Sequence, residues 1–351
     1  MFTKKIIIIN IAIFFFFFFL LDIISSNIIK KSCFNFEDYY YELKKNCSGL
    51  DKLKSGFPTV RVLTDSYGLR IGSNTTRNKS KKVFIFGDSH TYGSGLEYYE
   101  TYTGIFEKEV SEYDYYNFAM GSYSPSLHLY NLEKYLKLGI MPEKIILFLD
   151  LSDVVDESRR WTKYDENKRP KLENKLIINK ENILKKNFKL TISFIDYLNF
   201  NSRYLRRSIF SKKEIYKLTT TIQGGYTYRD ISELSDYYTK ESFFYGLKKI
   251  KDRINQISFL SKKFSFEFYL VIYPFAETLA YGQDKFSWEN FSKSICENEV
   301  CRLVNAFPIF QKEKIENQNW HSDLYFIGDL HLNRGGNRLL ANIVKKEVFS
   351  K

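Results

Sequence analysis

Apolar and polar positions alternate along this chain in blocks that predict strands and helices by turns. Val83–Phe86 is a short continuous apolar run with lysines before it and Gly87 after it, the pattern of a strand buried on both faces. Tyr102–Val110 predicts a short helix, and Tyr115–Met120 a second strand ending at Gly121. Between Ser126 and Leu138, Leu127, Tyr130, Leu132, Tyr135, Leu136 and Leu138 form a helical stripe stopped by Gly139 and Pro142. Ile145–Leu151 predicts a third strand. Helical periodicity returns over Glu241–Phe259, Phe268–Tyr273 predicts a fourth strand closed by Pro274, and Cys301–Ala306 a fifth. A last helix begins near Asn333, with Leu339, Leu340, Ile343, Val344 and Val348 at helical spacing. Strands and helices alternating over short connections predict βαβ units and a parallel sheet.

Two stretches break this rhythm. At the N-terminus Lys4 and Lys5 precede Ile6–Leu21, which is apolar throughout except for Asn10. As a helix that run rises roughly 24 Å, short of a hydrocarbon core of roughly 30 Å. The leading lysines match an export signal and the positive-inside rule, so a cleaved signal peptide and a retained anchor both fit. Either one makes the membrane a partner and sends the rest of the chain across it, as a periplasmic, extracellular or membrane-anchored protein. The second break, residues 156–240, is rich in Lys, Asn and Tyr and predicts a helical basic insertion over the active face. The expected organisation is therefore 1–31 export segment, 32–82 polar lead-in, 83–155 first part of the α/β domain, 156–240 insertion and 241–351 second part.

Charge and cysteines add to this picture. Of a formal net charge of +12, most of the excess lies between Glu157 and Thr220, where seventeen Lys and Arg face seven Asp and Glu. Such a patch would suit a nucleic acid, but an export segment and the lack of any nucleic-acid motif argue against that partner. A solvated insertion surface, anionic lipid headgroups or an acidic glycan remain. The cysteines are Cys33, Cys47, Cys296 and Cys301, an even number that permits two disulfides in an exported chain. No C-x-x-C pair or nearby histidine accompanies them, so a zinc site is not expected.

The candidate chemistry lies at the ends of predicted strands. Val83–Phe86 runs into Gly87-Asp88-Ser89, which delivers a serine to a strand-to-helix turn; Ser89 is either a nucleophile or a helix N-cap. A base must come from four histidines. His90 adjoins Ser89 and points away from it on an extended turn, and His128 lies in a helical stripe. His321, with Asp323 two residues on, is the reserve. His331 sits in Asp329-Leu330-His331-Leu332-Asn333, where an acid two residues earlier projects to the same side and can orient the imidazole. A helix-capping loop with an incidental histidine is the alternative for that segment.

These pieces resemble the SGNH/GDSL hydrolase superfamily. Gly87-Asp88-Ser89 looks like its first block and Asn117–Ser124 like its second, in which Gly121 matches the glycine whose N–H joins the oxyanion hole. Asp329 and His331 look like its last block, with one intervening residue instead of the commoner two. The third block, normally Gly-x-Asn-Asp, reads Asp150-Leu151-Ser152-Asp153 here, so Ser152 stands in for an asparagine donor. The resemblance implies an α/β fold, a three-layer α/β/α flavodoxin-like sandwich with a mostly parallel sheet. It implies Ser89, His331 and Asp329 as catalytic residues and Ser89, Gly121 and Ser152 around the oxyanion. It also implies an ester substrate, an O-acylated carbohydrate of the cell envelope, and no metal or organic cofactor. An O-acyltransferase would use the same triad. A non-catalytic scaffold binding a glycan or a protein would explain the altered third block.

Overall fold

The computed structural model describes residues 2–28, 32–53, 57–175, 191, 222–234 and 239–350. Its centre is a five-stranded sheet: β6 (Lys82–Phe86), β7 (Asp114–Asn117), β8 (Lys144–Leu149), β11 (Glu267–Ile272) and β12 (Arg302–Asn305), in the spatial order β12-β11-β8-β6-β7. Every pairing is parallel. In sheet-strand sequence this is the order 2-1-3-4-5 of doubly wound flavodoxin-like proteins. β8 is buried along its whole length, as the continuous apolar run requires.

Alternate residues along each strand feed two separate cores. Phe84, Phe86, Ile145, Leu147 and Leu270 pack under helices Pro125–Lys137 and Lys240–Phe264. Val83, Ile85, Ile146, Phe148 and Val271 pack under helices Tyr102–Glu109, Phe307–Glu316 and Arg334–Val344. These are the three layers of an α/β/α sandwich. Side chains alternate across a strand, so one apolar run serves both layers.

Element ends shift where local polar groups compete with the ladder. The second strand stops at Asn117 because its Oδ1 accepts the Ala119 N–H at 3.0 Å and folds Phe118–Met120 into a turn. The helix predicted to end at Phe259 continues to Phe264, where Ser265 in the left-handed region (φ 59°) closes it.

Residues 32–82, expected as a polar lead-in, carry ordered structure. β1 (Phe34–Glu37) pairs with β2 (Tyr40–Leu43), and β3 (Ser48–Lys52), β4 (Thr59–Thr64) and β5 (Arg70–Ile71) form an antiparallel sheet. Disulfides join Cys33 to Cys47 and Cys296 to Cys301. The N-terminal segment forms one helix, Phe2–Ile28, with exposed apolar side chains from Ile6 to Ile24. Among the described residues no helix is long and apolar enough to cross a membrane. The expected helical insertion falls largely outside the described residues. Its described start is a π-helical turn, Asp156–Arg160, followed by the short antiparallel pair β9 (Lys163–Tyr164) and β10 (Pro170–Lys171).

Candidate active site

In an open α/β sheet, ligands bind beyond the carboxyl ends of the strands where strand order reverses. Here that point lies between β6 and β8, and the segments leaving those two strands carry Asp88-Ser89 and Asp150-Leu151-Ser152. Ser89 opens a one-turn helix, Ser89–Tyr92, whose N-cap is Asp88 with its Oδ1 accepting the His90 N–H at 2.8 Å. Gly87 is required at this turn, since a Cβ there would lie 1.9 Å from Thr91 Oγ1.

His331 meets this serine from the other end of the chain. Its Nε2 lies 2.8 Å from Ser89 Oγ, and its Nδ1 lies 2.5 Å from Asp329 Oδ1. Asp329 Oδ1 also accepts the His331 backbone N–H at 3.0 Å. One carboxylate oxygen thus fixes both the main chain and the ring, which is why a single intervening residue suffices. With an Nδ1 proton facing Asp329, the neutral tautomer leaves Nε2 to accept from Ser89. Asn333 then caps the following helix, accepting the Gly335 and Gly336 N–H groups.

The remaining histidines lie elsewhere. His90 is buried, with its ring 4.6 Å from that of His331 and stacked on Phe275, and burial lowers its pKa. His128 is fully buried against Phe86 in the helical stripe, and burial pushes it down to about 3. His321 packs on Trp320 and Tyr325. Proximity to both Ser89 and a carboxylate therefore selects His331.

Gly121 stands beside Ser89: a Cβ built on it would lie 3.9 Å from Ser89 Cβ. Its loop is anchored by side chains from well outside the block. Tyr41 donates to Gly121 O at 2.7 Å, and Trp161 Nε1 donates to Ser122 O at 2.6 Å. Behind the nucleophile turn, buried Arg70 donates to Tyr92 O, Gly93 O and Leu96 O at 2.5, 3.0 and 2.6 Å. Sequence reasoning missed Arg70, Tyr41 and Trp161. Nothing in their local pattern marks them, because each acts on backbone carbonyls remote in sequence.

The altered third block has its own geometry. Ser152 donates its hydroxyl to Asp150 Oδ1 at 2.7 Å, and its backbone N–H goes to the same oxygen at 2.8 Å. Asp150 Oδ2 accepts from Tyr273 at 2.8 Å, and Asp153 Oδ2 accepts the Asp150 N–H at 2.9 Å. Asp88, Asp150 and Asp153 are all buried, and among the described residues no lysine or arginine forms an ion pair with any of them. Burial, followed by the field of Asp150, raises Asp88 to about 7. Burial likewise raises Asp150, and raises Asp153 well above the usual carboxylate range.

The parallel sheet in this order, with the serine block after its first strand and the acid/histidine block before its last helix, defines an SGNH hydrolase-type fold. The chain belongs to the family described as "Protein of unknown function (DUF1574)", whose model matches residues 1–257 and so stops before the Asp329–His331 loop. No curated protein matches the sequence. Among solved structures it is similar to a member of the lipolytic protein G-D-S-L family from Veillonella parvula DSM 2008. That match has 12% identity over 77% of this chain and 98% of the other, with a TM-score of 0.42. It is also similar to the acetyl xylan esterase AlAXEase (13% identity, 76% and 99% covered, TM-score 0.41). A catalytic mutant of an acetylxylan esterase from Geobacillus stearothermophilus matches at 11% identity, 80% and 97% coverage and a TM-score of 0.40.

Proposed function

We propose that this protein is an exported serine esterase that removes O-acyl groups from cell-envelope carbohydrate. The observation that carries the reading is the unbroken path Asp329–His331–Ser89, with contacts of 2.5 and 2.8 Å. Ser89 Oγ attacks the ester carbonyl carbon and its proton passes to His331 Nε2, while Asp329 stabilises the imidazolium. The carbonyl π electrons move onto oxygen, where the backbone N–H groups of Ser89 and Gly121 receive the charge. His331 returns the proton to the departing alkoxide, leaving an acyl-serine and a free alcohol. Water then attacks the acyl carbon, His331 takes its proton, and the carboxylic acid leaves as Ser89 recovers its hydroxyl. If a sugar hydroxyl replaces water in that half-reaction, the outcome is acyl transfer.

Export is supported by the lysines before the apolar N-terminal helix and by two disulfides, which persist in oxidising compartments. The carbohydrate substrate is inferred from that location and from the resemblance in the sequence.

A fluorophosphonate probe tests the reading. The wild type is expected to be labelled at Ser89 and to hydrolyse 4-nitrophenyl acetate, and Ser89→Ala to lose both, with kcat falling by about 10⁴-fold or more. A folded wild-type sample that takes no label would sink the esterase and leave a binding scaffold. Acetate moving to an added oligosaccharide faster than to water would make the protein a transferase.

A further inference from the structure

A count of protons around the third block points to a residue that neither the esterase reading nor the resemblance assigns. Ser89 and Ser152 each have one hydroxyl proton. The Ser89 proton faces His331 Nε2 at 2.8 Å and the Ser152 proton faces Asp150 Oδ1 at 2.7 Å. Asp88 Oδ2 lies 3.2 Å from Ser89 Oγ and 3.4 Å from Ser152 Oγ, and these are its hydrogen-bonding groups among the described residues. Each hydroxyl lies nearer to that acceptor than to Asp88. Three acceptors share two protons, and with each hydroxyl turned to its nearer acceptor Asp88 Oδ2 faces two lone pairs unless it carries a proton of its own.

Asp150 offers the contrast that locates this proton. Its Oδ1 receives two donors from Ser152 and its Oδ2 one from Tyr273, so each oxygen meets hydrogen. It is the ionised member of the pair. Asp88 Oδ1 receives the His90 N–H, and its Oδ2 is the oxygen with a proton to give.

We propose that Asp88 is a neutral carboxylic acid in the active protein and that its Oδ2–H supplies the third oxyanion hydrogen bond, the place usually filled by the asparagine amide. The proposal rests on the esterase reading. Ser152 is then a positioning residue: by binding Asp150 it spends its proton and keeps that carboxylate charged. At 3.2 Å from Ser89 Oγ, Asp88 Oδ2 is close enough to reach an oxyanion that forms on the carbon bonded to that oxygen. The surroundings favour the acid form. Asp88 is buried, the field of Asp150 acts against its charge, and Tyr273 and Tyr102 are uncharged phenols. The field of His331 and the hydrogen bonds of the His90 N–H and the Ser89 hydroxyl act the other way, and burial holds neighbouring His90 neutral.

The test is the pH dependence of kcat/KM for 4-nitrophenyl acetate. Wild-type activity is expected to fall above about pH 7, by up to tenfold per unit, as Asp88 ionises. Asp88→Asn keeps an acceptor for the cap and places an N–H at the Oδ2 position, so its profile should lose that alkaline limb. Asp88→Ala, which removes the donor, should fall about 10²- to 10³-fold in kcat at pH 6. An alkaline limb in Asp88→Asn that coincides with the wild type, or equal activity of Asp88→Asn and Asp88→Ala at pH 8, would overturn the proposal. Difference infrared spectroscopy between wild type and Asp88→Asn at pH 6 should show a protonated-carboxyl band that the variant lacks; its absence would also overturn it. That band is independent of turnover, so a protein that takes no fluorophosphonate yet shows it would refute the esterase reading while keeping Asp88 neutral.

Discussion

Glu157 and Asp88 are both buried carboxylates on the same side of the sheet's strand ends, and the protein accommodates them by opposite means. Glu157 accepts from the Ser124 and Ser126 hydroxyls and from the Ser126 N–H, at 2.7, 2.8 and 2.6 Å, at the N-terminus of helix Pro125–Lys137. Lys249 lies 3.2 Å away from helix Lys240–Phe264. The hydroxyls, the N–H, the lysine and the helix dipole all favour the charge. Among the described residues the site at Asp88, Asp150 and Asp153 has no such cation, and of the three Asp150 alone has donors on both oxygens. Charge that is matched serves as a tie between helices. Charge that is left unmatched beside Ser89 raises carboxyl pKa values instead.

Replacing Glu157 by Ala should break this comparison from the structural side. It leaves Lys249 buried without its counter-charge and the first turn of the helix without its acceptor. A loss of about 3–5 kcal/mol in denaturant unfolding is expected. A loss below about 1 kcal/mol would mean that water takes over both roles.

A pH-dependent effect distinguishes the unmatched site. The folded-state pKa of Asp88 lies above its unfolded value, so between the usual carboxylate range and about 7 the native state holds a proton that the unfolded chain has released. The stability of the wild type relative to Asp88→Asn should therefore fall as pH rises through that window, by at most about 1.4 kcal/mol per unit, and level off above it. Parallel Tm curves for the two proteins from pH 4 to 8 would contradict the assignment.

Smallest of all should be Asp153→Asn, within about 1 kcal/mol of the wild type, because burial already favours the neutral carboxyl and the amide oxygen keeps an acceptor for the Asp150 N–H. A loss comparable to that of Glu157→Ala would show instead that Asp153 is charged and matched.

Much of this molecule is legible in its sequence. The continuous apolar run at Val83–Phe86 reports a strand buried on both faces, and the Gly-Asp-Ser that ends it reports a sharp turn, because both signals are local. The spacing of Asp329 and His331 is local too, and the backbone uses it as the pattern suggests. The 32–82 stretch was not legible as structure. Its strands are four to six residues long or shorter, and much of their apolar contact is with the Tyr123 and Trp161 region, far away in the chain.

By itself the sequence determined which strands are buried, where the Gly-Asp-Ser turn lies and that Asp329 and His331 share one loop. Only the tertiary structure decided that His331 reaches Ser89, that Arg70 and Tyr41 hold the surrounding carbonyls, and that Asp88 and Asp150 face one another across adjacent strand ends. The physical reason is range. Periodicity and turn chemistry act over a few residues, whereas the field at a buried carboxylate is set by whichever groups the sheet order brings alongside it.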